Sequence, residues 1–156
     1  MMSFQITGLP ATLFTPLFAL GDDELAARGI VRMLVDKQPG FPCRVSLRDA
    51  AVGETVLLLN YEHLPVAGPY RSSHAIFVRQ AATEARLEIN EIPEVLRIRL
   101  LSVRSFDHSG MMIDADLVPG QELAAAIDRM LGQGPSAYLH VHSAKRGCFA
   151  ARVDWA

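Results

Sequence analysis

Short connections between strand-forming segments are the strongest constraint on how this chain can fold. Alternating or continuously apolar runs occupy residues 55–63, 75–80, 97–106, 111–117, 138–142 and 148–155. A parallel pair of strands needs a crossover of about a dozen residues or more, and most of the connections here are too short for one. We therefore expect a mainly antiparallel sheet.

Two segments show the periodicity of amphipathic helices. Residues 22–34 begin with acidic side chains after Gly21, which suit the positive end of a helix dipole, and continue with apolar residues at helical spacing. Residues 121–131 form a second amphipathic segment, which ends before a Gly-Gln-Gly-Pro sequence. The predicted fold class is α+β, a mainly antiparallel, strongly curved or barrel-like sheet with two helices, and residues 1–156 are expected to form a single domain.

The segment from Thr55 to His63 is predicted to lie inside the sheet. Residues 56–59 are continuously apolar, as in strands that are covered on both faces. The second half of the segment alternates, so Tyr61 and His63 point to one face. These two side chains are candidates for a site on that face.

Charge and composition exclude some classes of protein. A formal net charge of −2 and a pI near 6.2 lack the basic surplus that nucleic-acid binding needs. The early apolar run is short, is split by Pro16 and has no basic residue before it, so neither a signal peptide nor a membrane-spanning helix is expected. We therefore expect a cytoplasmic protein that binds neither nucleic acid nor membrane, with Cys43 and Cys148 as reduced thiols.

The C-terminal strands concentrate side chains that can bind metals. In an extended strand, Tyr138, His140 and His142 share one face. Two imidazoles at this spacing can share a metal ion, and His63 or His74 could complete the three protein ligands of a catalytic zinc site. A metal-dependent enzyme is one hypothesis. A pair of strand histidines that bond to backbone or carboxylate groups explains the same residues.

Cys148 is a candidate nucleophile. It follows Lys145 and Arg146, whose charges favour the thiolate, and His142 could act as its base across the turn. A cysteine that opens a terminal strand is also a common small apolar core residue.

The loop before the strand at residues 75–80 is rich in hydrogen-bond donors. Arg71, Ser72, Ser73 and His74 could hold a carboxylate or phosphate group there, because arginine binds both in bidentate geometry. Alternatively, Arg71 pairs with a buried carboxylate such as Asp49. The leading hypothesis is a protein that binds a small anionic metabolite, in a pocket lined by Arg71, His74, Tyr61, His63, His140 and His142.

A third hypothesis is a structural or interaction module that acts as a homodimer and has no small-molecule site. The sequence identifies no cofactor and no reaction.

Several segments resemble a bacterial family known only as domain of unknown function 1203. They are residues 42–50, 53–54, 61–63, 69–71, 76–79, 140–144 and 147–152, and the resemblance extends over nearly the whole chain. It implies a small stand-alone bacterial protein, and it brings no activity, cofactor or catalytic residue with it.

Overall fold

Eight β-strands dominate the computed structural model, which describes residues 2–156. They are β1 (Phe4–Thr7), β2 (Val31–Leu34), β3 (Thr55–Leu64), β4 (Ser72–Arg79), β5 (Leu100–Phe106), β6 (Met112–Pro119), β7 (Tyr138–Ser143) and β8 (Phe149–Trp155). One sheet has five strands in the order β1-β8-β7-β5-β6, and the other has three in the order β2-β3-β4. All of these strand pairs are antiparallel, as the short connections predict.

The helices of the described residues are few and short. The α-helices are α1 (Asp22–Ala27), α2 (Glu94–Arg97) and α3 (Leu123–Leu131), and 3-10 segments occupy Ala11–Leu13, Thr15–Ala19 and Gly120–Glu122. The α+β class is therefore confirmed.

The central strand of the smaller sheet is β3. Val56 and Leu57 point to opposite faces and are both fully buried, so both faces of this half of the strand are covered. Leu57 lies opposite Val78 of β4, and Phe14 and Leu25 from the N-terminal helical segments join the same apolar cluster. This packing fixes the position of β3 in the smaller sheet.

The larger sheet has one apolar face and one polar face. The helix α3 covers the apolar face, where Leu123, Ile127 and Met130 belong to one cluster with Leu101, Val103, Leu139 and Val141. The alternate residues of β5 and β7 point the other way, and they include Ser102, Arg104, His140 and His142. This polar face is turned toward β3 and β4 of the smaller sheet.

The predicted barrel-like curvature is not observed, because the strands divide between two open sheets. Closure of the larger sheet would require β1 to pair with β6, and these two strands are its edges. Each sheet instead has an apolar cluster of its own.

The first predicted helix is too long. It ends at Ala27, and residues 31–34 form β2, in which Val31 pairs with Leu58 of β3. Gly29 has a φ of 73°, and the amide of Ile30 donates to the carbonyl of Leu25 at 2.9 Å. This left-handed glycine terminates the helix, and strand pairing then prevails over the helical spacing of the apolar residues.

Two further predictions concern the membrane and the cysteines. Within residues 2–156, no helix combines the length and the apolar character needed to cross a bilayer. Cys43 is buried and Cys148 is partly buried, and both are free thiols.

Candidate functional site

Four of the five histidines meet where the two sheets face each other. His63 lies on β3, His74 on β4, and His140 and His142 on β7. The Nε2 atom of His63 is 2.6 Å from Nδ1 of His74, and its Nδ1 atom is 3.3 Å from Nδ1 of His140. The ring centroids of His63 and His142 are 4.9 Å apart. Residues that are far apart in sequence therefore form one cluster, which we call the histidine cluster.

Strand geometry directs these rings to a common point. His140 and His142 are two residues apart on β7 and therefore share a face. His74 lies opposite Tyr61 in the β3–β4 pair, and the regular register ends between Tyr61 and Leu64. This β-bulge changes the direction of the side chains beyond Tyr61, among them His63.

Phe149, at the start of β8, forms an aromatic wall of the cluster. Its ring stacks on His63 with a centroid separation of 4.8 Å and an interplanar angle of 9°. It also presents an edge-to-face contact to His140 at 5.0 Å and to His142 at 5.8 Å. These contacts bury one side of the cluster and restrict the orientation of the imidazoles.

Burial keeps the histidines neutral. His63, His140 and His142 are 9%, 2% and 0% exposed, whereas His74 is only partly buried. Mainly because of burial, the pKa of His63 is lowered to about 4, that of His140 to about 3 and that of His142 to about 2. Burial also lowers the pKa of His74. At neutral pH the cluster therefore offers uncharged ring nitrogens, which are the form that binds metals.

The tautomer of His142 follows from its backbone partner. Nδ1 lies 2.9 Å from the carbonyl oxygen of Gly147, and because a carbonyl can only accept, Nδ1 carries the proton. The Nε2 atom of His142 is then an acceptor. It is buried and, among residues 2–156, no group forms a hydrogen bond with it. A buried lone pair without a partner is rare in folded proteins, and here it lies among the other imidazoles.

The geometry separates three histidines that could share an ion from the fourth. One ring nitrogen from each of His63, His74 and His142 lies within 4.8 Å of the other two, so these three can share one ion. His140 contacts the Nδ1 atom of His63, whereas His74 contacts the other ring nitrogen of His63, Nε2. His140 can therefore orient His63 by accepting its Nδ1 proton, in the way that outer hydrogen-bond partners orient metal-binding histidines.

Arg104 is a member of the site that the sequence did not indicate. It lies directly opposite His140 in the β5–β7 pair, and its charge lowers the pKa of all four clustered histidines. The only signal in the sequence is an arginine within a strand, since the partner opposite Arg104 depends on the register between β5 and β7. Gly147 and Phe149 were also missed, because their contacts with His142 depend on the geometry of the turn and on the register between β7 and β8.

Two residues of the predicted anion pocket, Arg71 and Tyr61, contact other groups. The guanidinium of Arg71 donates from Nε to Oε2 of Glu62 at 3.0 Å, and the Arg71 side chain is 62% exposed. Glu62 is itself exposed to solvent on β3. The ring of Tyr61 packs against Phe14 at 5.9 Å. The structure thus brings the four histidines of the predicted pocket together without Arg71.

Cys148, the candidate nucleophile, is not bonded to a histidine. Its thiol lies 3.9 Å from the carbonyl oxygen of Arg146, and Nδ1 of His142 is occupied by Gly147. Among the residues that the structure describes, no imidazole is placed to take the proton of this thiol.

The comparisons with known proteins locate the site within a family without assigning it a role. A family described as Protein of unknown function (DUF1203) matches residues 40–155, a range that contains all four clustered histidines and Arg104. No curated protein and no solved structure matches the chain.

Proposed function

The chain belongs to the DUF1203 family of proteins of unknown function, and we propose that its histidine cluster binds a divalent transition-metal ion. His63, His74 and His142 are the ligands in this proposal, and His140 supports His63 from behind. In this proposal the metal ion carries the function. A small molecule reaches it from the side of His74, because His74 is partly exposed whereas His63 and His142 are buried.

The observation that carries the proposal is the Nε2 atom of His142. It is buried without a partner, while the opposite nitrogen of the same ring donates to Gly147 at 2.9 Å. A histidine ligand of a metal has this arrangement, in which one nitrogen is fixed by a carbonyl and the other is bare. A histidine that serves only the core would be expected to satisfy both nitrogens.

The ligand set narrows the choice of metal. Neutral imidazoles suit Zn²⁺, Cu²⁺, Ni²⁺ and Fe²⁺ and do not suit Mg²⁺ or Ca²⁺, which prefer oxygen ligands. Three protein ligands leave a coordination position for water or substrate, and this is the usual arrangement of catalytic zinc. When bound, such an ion acts as a Lewis acid and favours hydroxide over water at neutral pH. We therefore propose metal-dependent chemistry on a small molecule.

The direct test is a metal titration of protein purified without an affinity tag. The protein is stripped with a chelator and titrated with Co²⁺, whose visible absorption reports nitrogen coordination, and Zn²⁺ stoichiometry is measured by elemental analysis. We expect one ion per chain. His74→Gln should weaken binding by at least about 100-fold, because loss of a ligand exceeds the loss of an outer partner. His74 suits substitution because it is only partly buried.

His108 provides the matched control. It is the fifth histidine, lies exposed in the turn between β5 and β6, and is outside the cluster. The His108→Gln variant should bind Co²⁺ as the unmodified protein does. The proposal would be overturned if the folded protein, at a pH where its histidines are neutral, bound neither Co²⁺ nor Zn²⁺. Equal losses of Co²⁺ affinity in His74→Gln and His108→Gln would also overturn it.

Binding of a small anionic molecule is a second candidate function at the same place. The four histidines of the predicted pocket do converge, which favours a common site. Neutral imidazoles carry no charge for an anion at physiological pH, and Arg71 is engaged by Glu62. A metal ion or another cation is therefore needed to attract the anion.

A homodimer remains a third candidate, with an edge strand as its contact. The strand β6 is at the edge of the larger sheet, and its Ile113 and Leu117 are 39% and 59% exposed. Exposed apolar side chains on an unpaired edge favour association with a second copy. Light scattering that finds only monomer at high protein concentration would exclude this role.

A further inference from the structure

Arg104 stands on the polar face of the larger sheet beside the histidine cluster. It is opposite His140 in the register of β5 and β7, and its neighbour Ser102 is opposite His142. Residues directly opposite each other in an antiparallel pair share a face and have Cβ atoms about 5 Å apart. The guanidinium therefore rises next to the imidazoles.

This guanidinium has no carboxylate partner among residues 2–156. Seven other arginines of the described chain form ion pairs with Asp or Glu, namely Arg32, Arg71, Arg79, Arg97, Arg99, Arg129 and Arg152. The side chain of Arg104 makes a single hydrogen bond, from Nε to the hydroxyl oxygen of Ser102 at 3.2 Å. Its two terminal nitrogens have no protein acceptor in that range, although the side chain is partly buried.

The other arginine that lies opposite His140 is already engaged. Arg152 lies opposite His140 from the β8 side, donates to Asp154 at 2.8 Å and covers the ring of Tyr138 at 4.1 Å. On this face, Arg104 is thus the arginine whose two terminal guanidinium nitrogens are free to bind a ligand. Partial burial strengthens a charge-assisted hydrogen bond, because fewer waters compete for the guanidinium.

We propose that Arg104 anchors the carboxylate group of a small-molecule ligand of the metal site. This inference rests on the proposed metal ion, which would bind the same ligand at its open position. A planar carboxylate matches the fork of a guanidinium. The surroundings also favour a ligand with an apolar portion, since Ala115 lies opposite Arg104, and the exposed Leu117 lies opposite Ser102.

Arg104 can be tested with acetate as the carboxylate probe and inorganic phosphate as its competitor. In protein loaded with Co²⁺, acetate should shift the visible absorption. Arg104→Gln should keep the stoichiometry of one Co²⁺ and lose about 10–100-fold in affinity for acetate, the contribution of a hydrogen bond to a charged group. Arg28, which is exposed and has no carboxylate partner in the described chain, provides the control. Arg28→Gln should match the unmodified protein.

A second measurement separates failure of the anchor from failure of the metal site. In ¹⁵N-labelled protein without metal, acetate should shift the Nε–H resonance of Arg104. A protein that binds no Co²⁺ but shows this shift retains the anchor and loses the metal proposal. The role of Arg104 is refuted if the unmodified protein and Arg104→Gln both bind Co²⁺ and have the same affinity for acetate. Tighter binding of phosphate than of acetate overturns the assignment to a carboxylate.

Discussion

His142 donates from Nδ1 to the carbonyl oxygen of Gly147 at 2.9 Å, across the turn between β7 and β8. The two residues are five apart, and Gly147 has a φ of 77°. Its amide donates back to the carbonyl of Ser143 at 2.8 Å. The turn therefore fixes the carbonyl that selects the tautomer of His142, and this tautomer leaves Nε2 as a bare acceptor in the histidine cluster. A local backbone feature thus sets which nitrogen of His142 is available to the proposed metal ion.

Gly147→Ala should disturb both the fold and the metal site. A Cβ atom at this position meets nothing within 4 Å, so the expected effect comes from the left-handed backbone alone, about 1–2 kcal/mol of stability. If the turn relaxes, the carbonyl moves away from His142, and metal affinity should fall about 10–100-fold. Urea denaturation and Co²⁺ titration measure the two effects.

Gly29→Ala is the control for this substitution. Gly29 has a φ of 73°, and its Cβ would also meet nothing within 4 Å, but it follows α1 and has no role in the cluster. A similar loss of stability with unchanged metal affinity is expected. Equal losses of metal affinity in both variants would mean that Gly147 acts only through general stability.

Replacement of His140 should separate a supporting histidine from a ligand. His140 contacts Nδ1 of His63 and is not among the three residues whose ring nitrogens converge. His140→Gln should therefore still bind one Co²⁺, with an affinity about 10–100-fold lower, because outer partners orient ligands without replacing them. His74→Gln should lose more. A His140 variant with the larger loss would place His140 in the ligand set instead.

The ion pair between Asp49 and Arg99 should stabilise the contact between the two halves of the chain. Arg99 donates from Nη1 to Oδ2 at 2.9 Å and from Nη2 to Oδ1 at 2.6 Å, and the Asp49 side chain is only 9% exposed. Asp49→Ala removes the carboxylate from a largely buried guanidinium, which then keeps only the carbonyl of Val95 as acceptor, and should cost about 3–5 kcal/mol. Glu94→Ala breaks the exposed pair with Arg97 and should cost at most about 1 kcal/mol. Chemical denaturation that finds equal effects would show that Arg99 is hydrated after the substitution.

Local patterns predicted the elements of this fold better than the contacts between them. The apolar run at residues 56–59 correctly indicated a central strand, and the shared face of His140 and His142 followed from alternation. Asp49 was considered as the partner of Arg71, but it pairs with Arg99, fifty residues away. Such pairings depend on the register and the packing of sheets, which local periodicity does not encode.

The candidate site was predictable only in part for the same reason. Its histidines could be selected by residue type, and their convergence depended on the unknown contact between β3 and β7. Arg71 stood next to His74 in sequence and attracted the anion hypothesis, whereas Arg104 reaches the cluster through its position opposite His140. The neutral state of the rings depends on burial, which only the tertiary structure determines.

The stability of the metal-free protein should fall as the pH decreases below about 6.5, the usual pKa of histidine in an unfolded chain. In the folded protein, burial holds the pKa of His63 at about 4, that of His140 at about 3 and that of His142 at about 2. Between these values and 6.5 the unfolded chain binds protons that the folded protein does not, so the free energy of unfolding rises with pH in this window. Stability is therefore complete above the unfolded pKa and decreases toward pH 4.

Urea denaturation at pH 7.5, 6.5 and 5.5 in the presence of a chelator measures this linkage while most carboxylates remain ionised. The slope at pH 5.5 should correspond to about three protons bound on unfolding, one for each of the buried imidazoles of His63, His140 and His142. His140→Gln should reduce the slope by about one proton, because burial lowers the pKa of this ring in the folded protein. A slope that His140→Gln does not alter would show that His140 is protonated in the folded protein, and such a ring could not accept the proton of His63.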